Sequence, residues 1–138
     1  MPMATYHLQI VTPDGVSFDG QAERLVVRTT EGDYCILARH INYMAALGMG
    51  MATVVADGET RYAACIGGML SVNEGKATLV ASSFEWAQDI DLARARDSAR
   101  QAEAILAERD RRTEHEIAMA EAKLKRALVR QSVKNAKL

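Results

Sequence analysis

Residues 83–95 read Ser-Phe-Glu-Trp-Ala-Gln-Asp-Ile-Asp-Leu-Ala-Arg-Ala, and the character of the chain changes within them. Every aromatic residue lies at or before Trp86, and every Gly and Pro at or before Gly75. From Ala87 to Leu138 the chain is dominated by Ala, Arg, Glu, Lys and Leu, with no Gly or Pro to interrupt it. Residues of that kind favour helix, and the residues that punctuate turns are absent. Two units are therefore expected, 1–86 and 87–138.

Upstream of this boundary the pattern is that of strands. Tyr6, Leu8 and Ile10 alternate with His7, Gln9 and Val11, the period of a half-buried strand. Further β-like runs are 23–30, 34–37, 52–56, 60–66, 69–72 and 77–81. Turn residues divide them: Pro13-Asp14-Gly15, Glu31-Gly32-Asp33, Asp57-Gly58-Glu59, Gly67-Gly68 and Asn73-Glu74-Gly75. Short strands at nearly even spacing imply an antiparallel sandwich or flattened barrel. Asp57-Gly58 between two such runs predicts a tight hairpin, and Gly67-Gly68 a turn or bulge. Met44, Met49 and Met51 are expected to pack in or near a loop, with a Met-lined partner surface as the alternative.

Downstream, Leu92, Ala95, Ala99, Ala102 and Leu106 form one apolar stripe at helical spacing. Ile117, Ala120, Leu124, Ala127 and Gln131 repeat the spacing, with Leu128 widening the second stripe. The charged stretch Glu108–Arg112 separates them, and Thr113 with Glu116 fits a capping box that starts the second helix. So short a linker implies an antiparallel helical hairpin. Ala lets the axes approach but buries little area, so the hairpin should be weakly held and able to open.

Composition narrows the function. The 138 residues carry a net charge of −1, which argues against nucleic acid or anionic lipid as a non-specific partner. No apolar stretch reaches the ~20 residues needed to span a bilayer. Met1–His7 lack the basic and apolar regions of a secretory signal. Cys35 and Cys65 stand alone and read as reduced thiols of a cytosolic fold. His7, His40 and His115 fall in different elements without metal-site spacing. No nucleophile–base set or phosphate loop is visible. Binding or regulation is the expectation, not catalysis.

Several motifs together resemble the epsilon subunit of the bacterial and chloroplast rotary ATP synthase. They are His7–Gly15, Glu31-Gly32, Ile36-Leu37 with His40, Gly67–Val72 and, most specifically, Asp89-Ile90-Asp91-Leu92-Ala93-Arg94-Ala95. The resemblance implies a sandwich of about ten strands followed by the hairpin. It implies a non-catalytic rotor subunit, peripheral on the cytoplasmic face of a bacterial plasma membrane, in a proton- or sodium-driven synthase. The β unit would hold the gamma subunit, with His40 in contact, and touch the c subunits of the membrane ring through Glu31, Gly32 and Asp33. The hairpin would lie on the β unit, or extend into the alpha/beta catalytic head and block ATP hydrolysis.

In some relatives ATP, with Mg, holds the folded form as a regulatory ligand, although no cofactor is required. The resemblance carries that site onto Glu85, Ile90, Asp91, Arg94, Ala95, Arg126 and Arg130. The residues agree in part: Asp91 can cap a helix, and Arg126 and Arg130 share a helix face suited to a polyphosphate. One further arginine of the set aligns with Gln101 here, which lowers the expected affinity. In the central loop a usual Gly-Ile-Leu-Pro-Gly-His is Cys35-Ile-Leu-Ala-Arg-His40, so Ala38-Arg39 replaces a Pro-Gly turn. The alternative reading is a free-standing ATP-sensing module without a motor.

Overall fold

The computed structural model describes residues 4–136. The first three residues of the signal reading and the last two of the expected hairpin unit lie outside the described residues. Eight strands come first: β1 (Tyr6–Thr12), β2 (Gly15–Ala22), β3 (Arg24–Thr29), β4 (Gly32–Leu37), β5 (Tyr43–Ala46), β6 (Met49–Ala56), β7 (Glu59–Asn73) and β8 (Lys76–Trp86). Two helices follow, α1 (Leu92–Ala107) and α2 (Glu114–Lys134).

The hydrogen-bonded order is β2-β1-β8-β7-β6-β3-β4, with β5 pairing the far half of β7. The sheet folds over, so that β2 also meets β6, and its inner faces enclose one core. Tyr6, Leu8, Ile10, Leu25, Val27, Ile36, Val54, Leu70 and Leu79 are among its buried residues. The alternation expected in β1 holds, with Tyr6, Leu8 and Ile10 inward.

Four expectations are corrected. First, β2 is a strand that the sequence reading missed; it lies at one end of the order and carries a bulge, since Ile10 faces Phe18 but Val11 faces Val16. Second, the segment around Met44 and Met49 is not simply loop, because Met44 lies in β5, and Met49 and Met51 in β6. Third, Gly67-Gly68 neither turns the chain nor inserts a residue. Ile66 faces Ser83 and Gly68 faces Ala81, so the ladder keeps its register across the pair. Gly68 has φ +116, and a Cβ there would lie 1.9 Å from the Val80 carbonyl oxygen. The two glycines let two long strands cross closely. Fourth, the pairing is not wholly antiparallel, since β1 and β8 run parallel. Counting each half of β7 and β8 separately gives ten strands rather than eight.

The hairpin signals are realised. Ala56 pairs with Glu59, and Asp57 and Gly58 take φ of 53 and 73, the left-handed pair that a tight two-residue turn requires. Asp91 caps α1 by accepting from the Arg94 amide at 3.1 Å. Thr113 and Glu116 form the complete capping box of α2. Across the linker Arg112 bonds both Glu108 (3.1 Å) and Glu116 (2.9 Å).

The two helices meet through Ala95, Ala99 and Ala102 on α1 and Ala120 and Ala127 on α2, all buried. The larger stripe residues Leu92, Leu106, Ile117 and Leu124 are half-buried, and Leu128 is 50% exposed. The hairpin reaches the sheet through α2. There Val133 and Ile90 cover Ala64 on the outer face of β7, with Tyr62, Ala87 and Val129 around them. This cluster is far smaller than the sandwich core.

Candidate functional site

The antiparallel return of α2 sets its last turns beside the start of α1, at the end of β8. β8 delivers Glu85 there, and Ala87–Asp89 form a single 3-10 turn before Ile90 and Asp91 lead into α1. Lys134 Nζ donates to the Ala87 carbonyl at 3.0 Å and the Gln88 carbonyl at 3.4 Å. Arg130 Nε donates to Glu85 Oε1 at 3.2 Å. These contacts frame a cleft of ≈ 280 Å³ lined by Glu85, Asp89, Asp91, Arg94, Ala95, Ser98 and Arg130.

Five of the seven sequence-predicted ATP residues thus line one cleft: Glu85, Asp91, Arg94, Ala95 and Arg130. Ile90 does not line it; it is 3% exposed and packs with Val133 and Ala64. Arg126 lies one turn before Arg130, half-buried and outside the lining. Gln101 is engaged elsewhere, donating to Asp97 at 2.9 Å and accepting from Lys123 Nζ at 2.6 Å. Asp89 and Ser98 were missed. Ser98 stands four residues after Arg94, on the same helix face, and that spacing could have flagged it.

The chemistry of the cleft is mixed. Two guanidinium groups face three carboxylates, and Arg130 is already paired with Glu85. A polyphosphate entering here must displace Glu85 from Arg130 or bring its own cation. The space is just below the ~300 Å³ at which small-molecule pockets usually begin.

The turn expected to meet a membrane ring is built by Thr29, which is 5% exposed. Its hydroxyl accepts from the Glu31 amide at 3.1 Å and donates to the Gly32 carbonyl at 2.7 Å. Glu31 is exposed at the tip. Asp33 lies one residue into β4 rather than in the turn, and accepts from Arg28 Nε at 2.6 Å. His40 uses both ring nitrogens within the chain, with Nδ1 2.7 Å from the Ile41 carbonyl and Nε2 2.9 Å from Tyr34 Oη. Tyr34 stacks on Tyr43 at 4.1 Å. Arg39 takes φ 64, so the left-handed backbone suited to Gly persists here with a side chain on it.

A surface the sequence reading did not single out crosses five strands. Val16 pairs with Val11, Val11 with Val80, Val80 with Met69, and Met69 with Ala46. All five stand on the outer face, with Val16 63%, Val80 49% and Met69 43% exposed. Met44 beside them is 67% exposed. The signal was present only in register, because each strand contributes a single residue.

Cys65 is buried, which pushes its thiol up to about 12; Cys35 is exposed, and both thiols are free. Among the described residues no three His, Cys, Asp or Glu side chains converge as a metal site. No described helix is long and apolar enough to cross a membrane.

Comparison with known proteins covers nearly the whole chain. Residues 5–87 match the family described as ATP synthase, Delta/Epsilon chain, beta-sandwich domain. Residues 88–135 match its long alpha-helix domain. The chain is 39% identical to an ATP synthase epsilon chain of Ruminococcus albus, over 98% of this chain and 100% of that one. A second relative of that name, from Nitratidesulfovibrio vulgaris, is 38% identical over 93% and 94%. In fold, the chain resembles one in the Euglena gracilis mitochondrial ATP synthase OSCP/F1/c-ring structure. The TM-score is 0.82 at 18% identity, over 96% of this chain and 83% of that one. With both its units matched in order and relatives aligned end to end, the chain belongs to the ATP synthase epsilon-chain family.

Proposed function

We propose that this chain is a non-catalytic central-stalk subunit of an ion-driven ATP synthase, peripheral on the cytoplasmic face of a bacterial plasma membrane. In this reading it couples the gamma subunit to the ring of c subunits. It regulates ATP hydrolysis through its hairpin, which leaves the sandwich and extends along gamma into the alpha/beta head.

The observation that carries the reading is the unequal attachment of the two units. The hairpin rests on the sheet through a few residues around Val133, Ile90 and Ala64. A two-state element needs its states to differ by only a few kcal/mol, and so small a contact is compatible with that. The row Val16–Val11–Val80–Met69–Ala46 supports a partner surface on the opposite part of the sandwich, because rows of exposed apolar side chains mark docking faces. We assign gamma to it, and the membrane ring to the Glu31 turn. His40 contributes to the gamma surface by holding Tyr34 and the loop after β4, rather than through a free nitrogen.

MgATP is the proposed ligand of the cleft at the hairpin base. Arg94 and Arg130 would meet the phosphates, with Arg126 swinging in from the preceding turn. Glu85 gives up Arg130 as they bind, and this, with Gln101 engaged elsewhere, points to weak affinity. Binding favours the folded hairpin only because the cleft needs both units in place.

Calorimetric titration of the whole chain with MgATP tests the ligand. Saturable binding that is lost in Arg94→Ala and in Arg126→Ala supports it. Absence of binding up to millimolar ATP overturns it and leaves the hairpin governed by the motor. Co-purification with gamma tests the rotor assignment: Val80→Glu and Met69→Glu should abolish it, and retained binding would contradict the assigned face.

A further inference from the structure

We infer that the wedge between α2 and the outer face of β3 and β6 binds a single-chain fatty carboxylate, whose head lies at Arg28 and Lys125 and whose tail lies along Met49, Met51, Leu128 and Val129. The wedge lies where α2 passes over β6 and β7. Val129 and Val133 pack against the sheet there, and a gap of ≈ 450 Å³ opens beside them, reaching back along α2 to Lys125. A second space of ≈ 320 Å³ joins it, sharing Arg28, Met49 and Lys125. The first lies within the usual ~300–1,000 Å³ of small-molecule sites.

Arg28 and Lys125, with Met49, lie where the two spaces join, and Met51, Leu128 and Val129, with the polar Thr53 and Ser132, line the rest of the first. Met51 and Leu128 are 39% and 50% exposed, although they flank an opening that an alkyl chain could fill. At the join Arg28 is held in place rather than free. Its stem lies across Gly50, where a Cβ would come within 2.6 Å of Arg28 Cβ. Asp33 accepts from its Nε at 2.6 Å, taking one of the five donors of a guanidinium. Arg28 and Lys125 against Asp33 leave one positive charge in excess at this mouth. A monoanionic head complements that excess, and an apolar tail complements the walls.

The site takes one wall from the sheet and the other from α2, so its occupant bridges the two units. A bridging ligand lowers the population of the opened hairpin by 1 + [L]/Kd, about elevenfold at ten times Kd. This does not depend on the nucleotide cleft, which lies at the hairpin base and shares no lining residue with the wedge.

The test is a titration of the full chain with decanoate below its micellar concentration, followed by NMR of the Met and Leu methyls and of α2 amide exchange. The expected result is saturable shifts centred on Met49, Met51 and Leu128, with α2 exchange slowed about tenfold at tenfold excess over Kd. Acetate and decanol should each bind at least about tenfold more weakly, since one lacks the tail and the other the charged head. Lys125→Gln should weaken decanoate by about tenfold without moving the unfolding midpoint, and Arg28→Gln should weaken it similarly. Shifts spread equally onto the Val16–Val80–Met69 face would overturn the inference. So would decanol binding as tightly as decanoate, indifference to both substitutions, or a doubling of mass that fills the wedge with a second copy.

Discussion

The sandwich and the hairpin bury their apolar residues in opposite ways. The sandwich closes branched and aromatic side chains from all eight strands into one core, with Leu8, Ile10, Leu25, Ile36, Leu70 and Leu79 fully buried. The hairpin buries Ala against Ala, and docks on the sheet through Val133, Ile90 and Ala64. At ~25 cal/mol per Å² the first arrangement holds far more free energy than the second. The difference teaches that one chain can carry a strongly held unit and a weakly held one side by side. The choice of buried residue is enough.

Substitutions that separate the two units test this, and the largest effect belongs to Gly68. An added Cβ meets the Val80 carbonyl at 1.9 Å from a backbone at φ +116. Gly68→Ala should therefore cost about 4 kcal/mol or more, at the exceptional end of single substitutions, and urea unfolding should show the sandwich lost. Leu79→Ala comes next, at roughly 2–5 kcal/mol for a fully buried Leu, read in the same experiment. Val133→Ala removes two methyl groups from the docking cluster and should cost about 1–2 kcal/mol. Its signature is local: amide exchange quickens in α1 and α2 while the protection of β1 and β7 is unchanged. If Val133→Ala instead lowered the global midpoint as Leu79→Ala does, the two units would be one cooperative body.

Smaller effects sharpen the picture at single turns. Arg39→Gly should stabilise the sandwich by about 0.5–1 kcal/mol, because Gly accepts φ 64 without the clash a side chain brings. Thermal unfolding would check the sign. At the start of α2, Glu116 is held below the usual carboxylate range, first by its bond to Arg112 and then by the Thr113 amide and hydroxyl. A depressed folded-state pKa stabilises at pH above the unfolded value of 4.5, and that contribution disappears as pH falls below it through the folded value. Protection of residues 113–117, measured relative to the intrinsic exchange rate at each pH, should therefore fall on acidification below pH 4.5, ahead of that of the β-strand amides.

Much of this was legible in the sequence because it is local. The alternation in β1, the Asp57-Gly58 turn, the capping box and the two Ala stripes each depend on residues within a few positions of one another. The misses come from strand pairing and helix packing, which a run of residues does not show by itself. β2 carries a bulge and Gly20, so its alternation is broken, and it is held by β1. Gly67-Gly68 look like a break, yet they serve a close crossing with Val80 that only the β7–β8 register reveals. Asp33 reads as a turn carboxylate until Arg28 is seen beside it. Most of the cleft was legible only through the resemblance. Asp89 and Ser98 join it because the return of α2 closes that side, and Gln101 leaves it because Lys123 lies across from it.

The most direct test is residue-resolved hydrogen exchange of the whole chain across a urea series. The account predicts that α1 and α2 exchange through one shared opening of low free energy, well below that of the buried strands, which exchange only on global unfolding. Equal free energies and equal urea dependence in the Ala127 helix and the Leu79 strand would contradict it. The hairpin would then be a fixed part of the sandwich.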